Sequence, residues 1–240
     1  MTNAEIKFIK SLGQKKGREE SGLFVVEGEK LVAEALASHF TVERVYRREE
    51  IGEAAMARIS AFSTPSPALA LVRRPADLLQ GEIPAKGLVL ALDGIRDPGN
   101  LGTILRIADW FGLDAVFASP DTVDVFNPKV VQATMGAIFR VRFHYTPVPE
   151  FCKQVLSRGG KVYGTFLDGE NLYRRDLPQD GLSVIVIGNE ANGISPQTAA
   201  CVSDRLYIPP YPQGQPGSES LNAAVATAVT VAEFRRRASY

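Results

Sequence analysis

The chain has 240 residues, and its 27 basic and 27 acidic side chains leave a formal net charge of zero. With 45% hydrophobic and 22% charged residues, the composition is typical of an ordinary globular protein, and overall charge does not indicate a nucleic-acid partner. Two cysteines and two histidines are too few for a disulfide framework and too isolated for a metal site, so we expect a reducing compartment and no metal.

Local charge is less even than the total. One cluster of basic residues lies near the N-terminus, and another ends the chain's last predicted helix: Lys7, Lys10, Lys15, Lys16 and Arg18, and Arg235, Arg236 and Arg237. Either cluster can bind phosphates, but a solvated surface is the simpler interpretation. Neither a signal-peptide core nor an apolar stretch of membrane-spanning length occurs, which predicts a cytoplasmic protein with no membrane partner.

The first part of the chain predicts a small α/β unit. Its elements are a basic amphipathic helix near 3–16, a strand at 23–28, a helix over 29–38, a strand at 41–47, a helix near 53–59 and a strand at 66–72. Residues 73–86 combine prolines, a glycine and charges without an apolar period, which is typical of a linker. We therefore predict one domain over 1–82, including the start of the linker, and a second over 83–240.

The second part alternates strands and helices. We predict strands at 87–93, 114–119, 140–145, 161–167, 182–188 and 205–209, and helices over 100–112, 128–137, 149–158, from 195 and over 220–237. Such alternation predicts a parallel sheet with helices on both faces.

The most informative motif lies at 92–108, where a buried strand passes through a tight turn into a helix. Asn100 and Arg106 are six residues apart, so both can face one crevice at the carboxyl end of the strand, where open α/β sheets bind ligands.

Two later strand ends carry further candidates. The loop at 188–194 contains two glycines, which would let the backbone approach a ligand, and one acidic residue, Glu190; a plain turn into a helix capped by Ser195 explains it equally well. Ser220 and Asn222 lie near the start of the last helix, where electron-rich ligands are favoured, but Ser220 as an ordinary N-cap is the simpler interpretation. No dinucleotide fingerprint, Walker motif or nucleophile elbow occurs.

Together the three segments resemble, in order and spacing, the motifs of the SpoU (TrmH-type) RNA ribose 2′-O-methyltransferases of the SPOUT superfamily. The resemblance covers nearly all of 87–238, and the N-terminal unit is similar to the RNA-binding domain of ribosomal-RNA members. It implies an α/β fold with a parallel sheet, helices on both faces and a C-terminal trefoil knot, preceded by a small α/β RNA-binding domain.

The resemblance also implies an activity. These enzymes transfer a methyl group from S-adenosylmethionine to a ribose 2′-hydroxyl, act as homodimers and bind structured RNA, here ribosomal RNA rather than transfer RNA. The implied catalytic residues are Asn100, Arg106, Glu190, Ser220 and Asn222. The implied cofactor-binding residues are Gly188, Asn189, Glu190, Gly193, Ile208 and Leu221.

One departure from the family pattern concerns the loop before Ser220. The family has a short loop there, whereas residues 210–217 lengthen it and Pro210 replaces the expected methionine, so cofactor geometry or affinity is the property affected. Two other functions remain open at this point: an RNA-binding or ribosome-assembly factor with little or no turnover, and a doubly wound enzyme acting on a small nucleotide, which leaves the first domain without a role.

Overall fold

A computed structural model describes residues 1–76, 81–177, 180–212 and 218–238. In chain order, its helices are α1 (Asn3–Ser11), α2 (Lys15–Ser21), α3 (Glu29–Ala37), α4 (Arg48–Ile51), α5 (Glu53–Ile59), α6 (Pro98–Trp110), α7 (Pro128–Ala133), α8 (Val148–Ser157), α9 (Pro196–Ala199) and α10 (Ala223–Arg237). Its strands are β1 (Leu23–Glu27), β2 (Val42–Arg47), β3 (Ala68–Arg73), β4 (Gly87–Asp93), β5 (Ala115–Ala118), β6 (Phe143–Tyr145), β7 (Lys161–Asn171), β8 (Leu182–Gly188) and β9 (Asp204–Tyr207). A 3₁₀ turn spans Ala137–Phe139.

The chain folds into two units, and each is made of two segments. The first consists of Met1–Ala76 and Asp124–Arg140, and the second of Asp77–Val123 and Val141–Tyr240. Residues 77–80 of the predicted linker and 213–217 of the lengthened loop lie outside the described residues.

The first unit is built on an antiparallel sheet with the strand order β1-β3-β2, which confirms the predicted small α/β unit. Helices α1 and α5 bury apolar side chains, including Ile6, Ile9 and Met56, in one cluster with this sheet. The prediction of a single helix near 3–16 was wrong, because the chain turns between α1 and α2. At Gly17 a Cβ atom would lie 2.2 Å from the carbonyl oxygen of Ser11, so only glycine allows this close return.

A later segment completes the core of the first unit. Residues 124–140, on the other side of the boundary drawn from the sequence, belong to this unit. The ring centroids of Phe24 and Phe126 are 4.5 Å apart, and those of Phe40 and Phe139 are 5.3 Å apart. A single division point in the sequence assumes that each domain is contiguous. It therefore cannot predict that a distant segment contributes aromatic side chains to the first unit.

Helix α7 ends earlier than the sequence predicts. The predicted helix 128–137 stops at Ala133 because Met135 and Gly136 adopt positive φ angles of 49° and 95°. Positive φ angles are unfavourable for residues that carry a Cβ atom. Glycine at position 136 therefore lets the chain leave the helix at little energetic cost.

A buried ion pair joins the two segments of the first unit. Only 2% of the Arg18 side chain is exposed, and its guanidinium donates to Asp124 Oδ2 from Nε at 2.8 Å and from Nη2 at 2.6 Å. Its Nη1 donates to the carbonyl of Leu12 at 2.7 Å. Arg18 is therefore part of the core and not of the basic surface to which the sequence assigned it.

The second unit contains a parallel sheet with the strand order β6-β5-β4-β8-β7-β9, as predicted from the alternation of strands and helices. Helix α8 covers one face, where Phe151 stacks on Phe117 with the ring centroids 4.3 Å apart. Helix α10 contacts the opposite face, where Phe234 meets Tyr163 edge-on at 5.0 Å. Because neighbouring residues of a strand point to opposite faces, Val162 belongs to the α8 cluster while Tyr163 contacts α10.

The C-terminal basic cluster is part of the packing of this unit. Arg235 donates to the carbonyls of Phe111 and Gly112, which follow the end of α6, at 2.8 and 2.5 Å. Arg237 donates to the carbonyls of Arg175 and Tyr173 at 2.6 and 2.9 Å. Arg235 and Arg237 therefore satisfy backbone carbonyl groups of this unit, whereas Arg236 is 68% exposed and pairs with Glu233.

Across the described ranges, no helix has the length and apolar character needed to cross a bilayer.

Breaking the buried ion pair should destabilise the first unit. Asp124→Ala leaves the Arg18 guanidinium buried without a counter-charge, so the free energy of unfolding should fall by about 3–5 kcal/mol in urea titrations. Glu43→Ala, which removes the partner of the exposed Arg73, is the control and should cost at most about 1 kcal/mol. Equal costs for the two variants would contradict the assignment of Arg18 and Asp124 to the core.

The Glu233 carboxylate should stabilise the protein in a pH-dependent way. Its side chain is 6% exposed and accepts hydrogen bonds from Arg236 at 2.8 Å and Arg237 at 2.7 Å, which hold its pKa at about 2 against an ordinary 4.5 although burial opposes this. Glu233→Gln should therefore cost about 1–2 kcal/mol at pH 7. Because the folded-state pKa is the lower one, the difference from wild type should be complete above about pH 5 and vanish as the pH falls toward 2. A difference that does not change with pH in thermal unfolding would refute this role.

Candidate active site

The site lies where the two central strands of the second unit end. Asp93 at the end of β4 and Gly188 at the end of β8 are paired in register, so the loops that follow them begin side by side. Asn189 Nδ2 donates to the carbonyl of Gly94 at 2.7 Å, and Ser195 N donates to Asp93 Oδ2 at 2.7 Å. The predicted crevice at the carboxyl ends of the strands is thus built from loops that hydrogen-bond to each other.

A continuous chain of hydrogen bonds connects residues of the three motifs. The amides of Ala224 and Val225 donate to Asn222 Oδ1 at 2.9 and 3.3 Å. Asn222 Nδ2 donates to Asn100 Oδ1 at 2.8 Å, and Asn100 Nδ2 donates to Glu190 Oε1 at 2.9 Å. Each side-chain amide therefore has one orientation, because reversing either would place two donors or two acceptors against each other.

Glu190 ends this chain as an ionised group. Its two carboxylate oxygens also accept from the amides of Arg96 and Asp97, each at 3.3 Å. Partial burial raises the pKa of Glu190, but the hydrogen bonds from Asn100 and from these backbone amides outweigh it and hold the pKa below its usual 4.5. Glu190 is therefore a fixed negative charge at neutral pH.

Asn222, not Ser220, caps the last helix. The predicted helix over 220–237 begins at Ala223, and the side chain of Asn222 accepts from the helix amides. The simpler interpretation of Ser220 as the N-cap was wrong. Since Ser220 is exposed and makes no hydrogen bond with the described residues, its hydroxyl is free to bind a ligand.

Arg106 lies on the exposed side of α6, whose Ile104 and Leu105 are buried. Within the part of the chain that the structure describes, its guanidinium has no hydrogen bond or ion pair. An unpaired guanidinium presents a planar set of donors that suits a phosphate or carboxylate.

The predicted cofactor-binding residues are placed on two loops. Gly188 is the last residue of β8, and Asn189 and Gly193 belong to the loop that follows it. Half-buried Ile208 follows β9, and Leu221, 49% exposed, precedes α10. At Gly188 a Cβ atom would lie 2.2 Å from backbone atoms of Gly193 and Ile194. The physical reason for this glycine is therefore the close approach of the chain to itself, and Asn189 likewise holds the loop by accepting from Ala191 N at 2.9 Å.

Three further residues support the site: Asp97 belongs to the leading motif but was given no role from the sequence, and Asp93 and Ser119 were missed. Asp97 caps α6 by accepting from Asn100 N at 2.8 Å, Asp93 accepts from Ser195, and buried Ser119 accepts from Gly94 N at 2.8 Å. The available signal was their position, because Asp93 and Ser119 are polar residues at the ends of the apolar runs that form β4 and β5.

This arrangement can bind and orient a ligand and stabilise negative charge. Its hydrogen-bonded part consists of two side-chain amides and one carboxylate, without a histidine among them. The Ser220 hydroxyl lies two residues before Asn222, and the Arg106 guanidinium lies six residues after Asn100 on α6. In the described ranges, no group of three or more His, Cys, Asp or Glu side chains could hold a metal ion.

Comparison with known proteins places each part of the chain. The SpoU rRNA Methylase family matches residues 87–232, and the MRM3-like substrate binding domain matches residues 3–70. The chain is 33% identical to the 23S rRNA (guanosine(2553)-2′-O)-methyltransferase RlmP of Bacillus subtilis over 97% of this chain and 96% of that protein.

Solved structures agree in fold over nearly the whole chain. One, assigned to the TrmH family of RNA methyltransferases from Porphyromonas gingivalis, has a TM-score of 0.88 at 38% identity and covers 99% of each chain. The AdoMet-bound rRNA methyltransferase of Sinorhizobium meliloti has a TM-score of 0.87 at 29% identity, covering 100% of this chain and 97% of that one. The chain therefore belongs to the SpoU rRNA methylase family.

Proposed function

We propose that this protein transfers a methyl group from S-adenosylmethionine to a ribose 2′-hydroxyl of ribosomal RNA. The observation that carries the proposal is the hydrogen-bond chain from Asn222 through Asn100 to Glu190, which unites three motifs from distant parts of the sequence in one site. Family membership and the activity named for the Bacillus subtilis relative support the same reaction.

The residues present fit the cofactor. Ile208 and Leu221 offer apolar surface to a heterocycle, and the backbones of Gly188, Asn189 and Gly193 border the same loops. Glu190, ionised by its hydrogen bonds, supplies a negative charge that suits a sulfonium. When bound, S-adenosylmethionine supplies the electrophilic methyl group.

The residues of this chain then position the ribose and stabilise charge. Arg106 would bind an RNA phosphate through two parallel hydrogen bonds, and its positive charge would stabilise the negative charge that develops on the 2′-oxygen as the hydroxyl proton is lost to solvent. Asn100, held in one orientation by Glu190 and Asn222, keeps the substrate end of the site in place, and Ser220 contributes its free hydroxyl.

The proposal assigns the N-terminal domain, predicted over residues 1–82, to recognition of structured RNA, and the domain predicted over 83–240 to catalysis in the cytoplasm. Residues 124–140 lie in the second range but belong to the first unit, so we assign them with it. The match to the MRM3-like substrate binding domain over residues 3–70 supports this division. Ribosomal RNA is proposed rather than transfer RNA because the Bacillus subtilis relative is named for 23S rRNA. We also propose that the chain around β9 and α10 forms the trefoil knot of the family.

The proposed enzyme is a homodimer that uses an exposed face of the second unit. On α6, Trp110 is 86% exposed one turn beyond Arg106, and on α10 Val225 is 48% exposed. A tryptophan this exposed favours burial against another surface, and a second copy would cover α6 and α10 together.

The direct test is incubation with tritiated S-adenosylmethionine and separate pools of unmodified ribosomal and transfer RNA, followed by mapping of the label. Label on a ribose of ribosomal RNA supports the proposal. Cofactor binding without transfer to free RNA or to a precursor ribosomal particle would favour a binding or assembly factor instead.

Replacement of Arg106 should separate binding from chemistry. Arg106→Lys keeps the charge but loses the planar pair of donors, so methyl transfer should fall by about 100-fold or more while cofactor affinity stays within about twofold. The measurements are single-turnover transfer and isothermal titration with the cofactor. Arg158→Lys, an exposed arginine on the C-cap of α8, is the control, and near-normal turnover of Arg106→Lys would reject the role.

Truncation of Trp110 should weaken the dimer. Large aromatic side chains at the centre of an interface contribute about 2 kcal/mol or more, so Trp110→Ala should raise the dimer dissociation constant by roughly 30-fold. Analytical ultracentrifugation over a concentration series measures this. Leu167→Ala, which removes another highly exposed apolar side chain, should leave the association unchanged; a wild-type monomer would contradict the proposed assembly.

A further inference from the structure

Helix α1 presents an aromatic ring on its solvent face. Ile6 and Ile9 are buried, whereas Phe8 is 41% exposed. At 100° per residue, Lys7, Phe8 and Ser11 lie on the side of the helix opposite the buried pair. An amphipathic helix of a solvated surface carries polar residues on this side, so an exposed phenylalanine there is unexplained by the packing of the first unit.

Unpaired positive charge lies to one side of this ring. Lys7 and Lys10 are exposed and have no acidic partner among the described residues, because Glu5, the acidic residue of α1, is engaged by Thr2 and Arg44. Around the helix, Lys7 is about 100° from Phe8 and Lys10 about 160°, with Ser11 between Phe8 and Lys7.

The start of α2 adds two cations that are only weakly engaged. Lys15 and Lys16 make i,i+4 pairs with Glu19 and Glu20 at 3.8 and 3.7 Å. All four side chains are more than half exposed, and pairs of this kind contribute about 0.3–0.5 kcal/mol, so a phosphate can displace the glutamates at little cost. The close approach at Gly17 brings this part of α2 against Ser11 at the end of α1.

Resting on the proposed function, we propose that the α1 face, defined as Lys7, Phe8, Lys10 and Ser11 with Lys15 of α2, binds a single-stranded segment of the RNA substrate. Phe8 stacks on an unpaired base, and the lysines contact neighbouring backbone phosphates. An aromatic ring beside cations suits a single-stranded nucleic acid, because every base has a π-face and every nucleotide carries a phosphate.

The same face is poorly suited to a protein partner. The cores of protein interfaces are depleted of lysine and enriched in contiguous apolar surface, whereas the α1 face has one aromatic ring among cations. The C-terminal basic cluster is more fully engaged, because Arg235 and Arg237 donate to backbone carbonyls and Arg236 pairs with buried Glu233.

The test uses the full-length protein without cofactor and a fluorescent 12-residue oligouridylate as the probe, with binding followed by anisotropy. Phe8→Ala should weaken binding by roughly 5- to 150-fold, the usual effect of removing one stacked base. Phe8→Trp should retain binding within about threefold, and Phe8→Leu, which keeps apolar area but loses the π-face, should behave like Phe8→Ala. Phe62→Ala removes another exposed aromatic side chain of the first unit and serves as the matched control.

The lysines are tested by salt dependence. Removing two phosphate contacts with Lys7→Gln and Lys10→Gln together should reduce the slope of log affinity against log salt by about 1.4, since a single strand loses about 0.7 per contact. The control is Lys153→Gln together with Lys161→Gln, at two exposed lysines of the second unit. This double variant removes the same charge and should leave the slope unchanged. Overlaid unfolding curves establish that the variants are folded.

Three outcomes would overturn the inference: no binding of the probe by wild type, binding by Phe8→Ala within twofold of wild type, or binding by Phe8→Leu equal to wild type, which indicates apolar docking of another kind.

Methyl transfer to ribosomal RNA is measured in parallel, and Phe8→Ala should raise KM for the RNA with kcat unchanged. Wild type that binds through Phe8 but transfers no methyl group contradicts the proposed function alone. Normal methyl transfer by a protein whose binding of the probe does not depend on Phe8 contradicts this inference alone.

Discussion

The site depends on one hydrogen-bond chain. It starts at the amides that open α10, passes through the side chains of Asn222 and Asn100, and ends on the Glu190 carboxylate, which also holds the amides before α6. Helix amides can only donate and an ionised carboxylate can only accept, so both asparagines between them have a defined orientation. Loss of any member would leave donors or acceptors unpaired at the junction of three loops, and those loops carry the remaining site residues.

The arginines divide into those used by the fold and those left for chemistry. Arg18 is buried against Asp124, and Arg235 and Arg237 satisfy carbonyl groups at the ends of other segments. Arg106 is exposed on the same helix that Asn100 helps to anchor, and it makes no contact of this kind within the described chain. A guanidinium whose donors are free is available to an anionic ligand, and its planar shape lowers the conformational entropy lost for each hydrogen bond that it forms.

Both units show that segments distant in sequence complete local structure. In the first unit, Phe126 and Phe139 come from a segment that follows β5, yet they pack on Phe24 and Phe40. In the second unit, Arg235 near the C-terminus donates to the carbonyl of Phe111 at the C-terminal end of α6. Neither contact has a periodic or compositional signal in the sequence, since aromatic and arginine side chains are common in many environments.

The sequence by itself determined the order and type of most elements, because apolar runs and helical periods are local properties. It indicated β8 at its observed bounds and α9 from the Ser195-Pro196 cap, and the ordered motifs were sufficient to indicate the SpoU family. Only the tertiary structure decided that α1 and α2 are separate, that Asn222 and not Ser220 caps α10, and that Asn100, Glu190 and Asn222 bond to one another while Arg106 stays free. The bonds of Asn100 to Glu190 and Asn222 join residues 90 and 122 positions apart, and the separation of α1 from α2 includes a close approach at Gly17. Local propensity contains no information about such contacts, and between two possible caps two residues apart it does not choose.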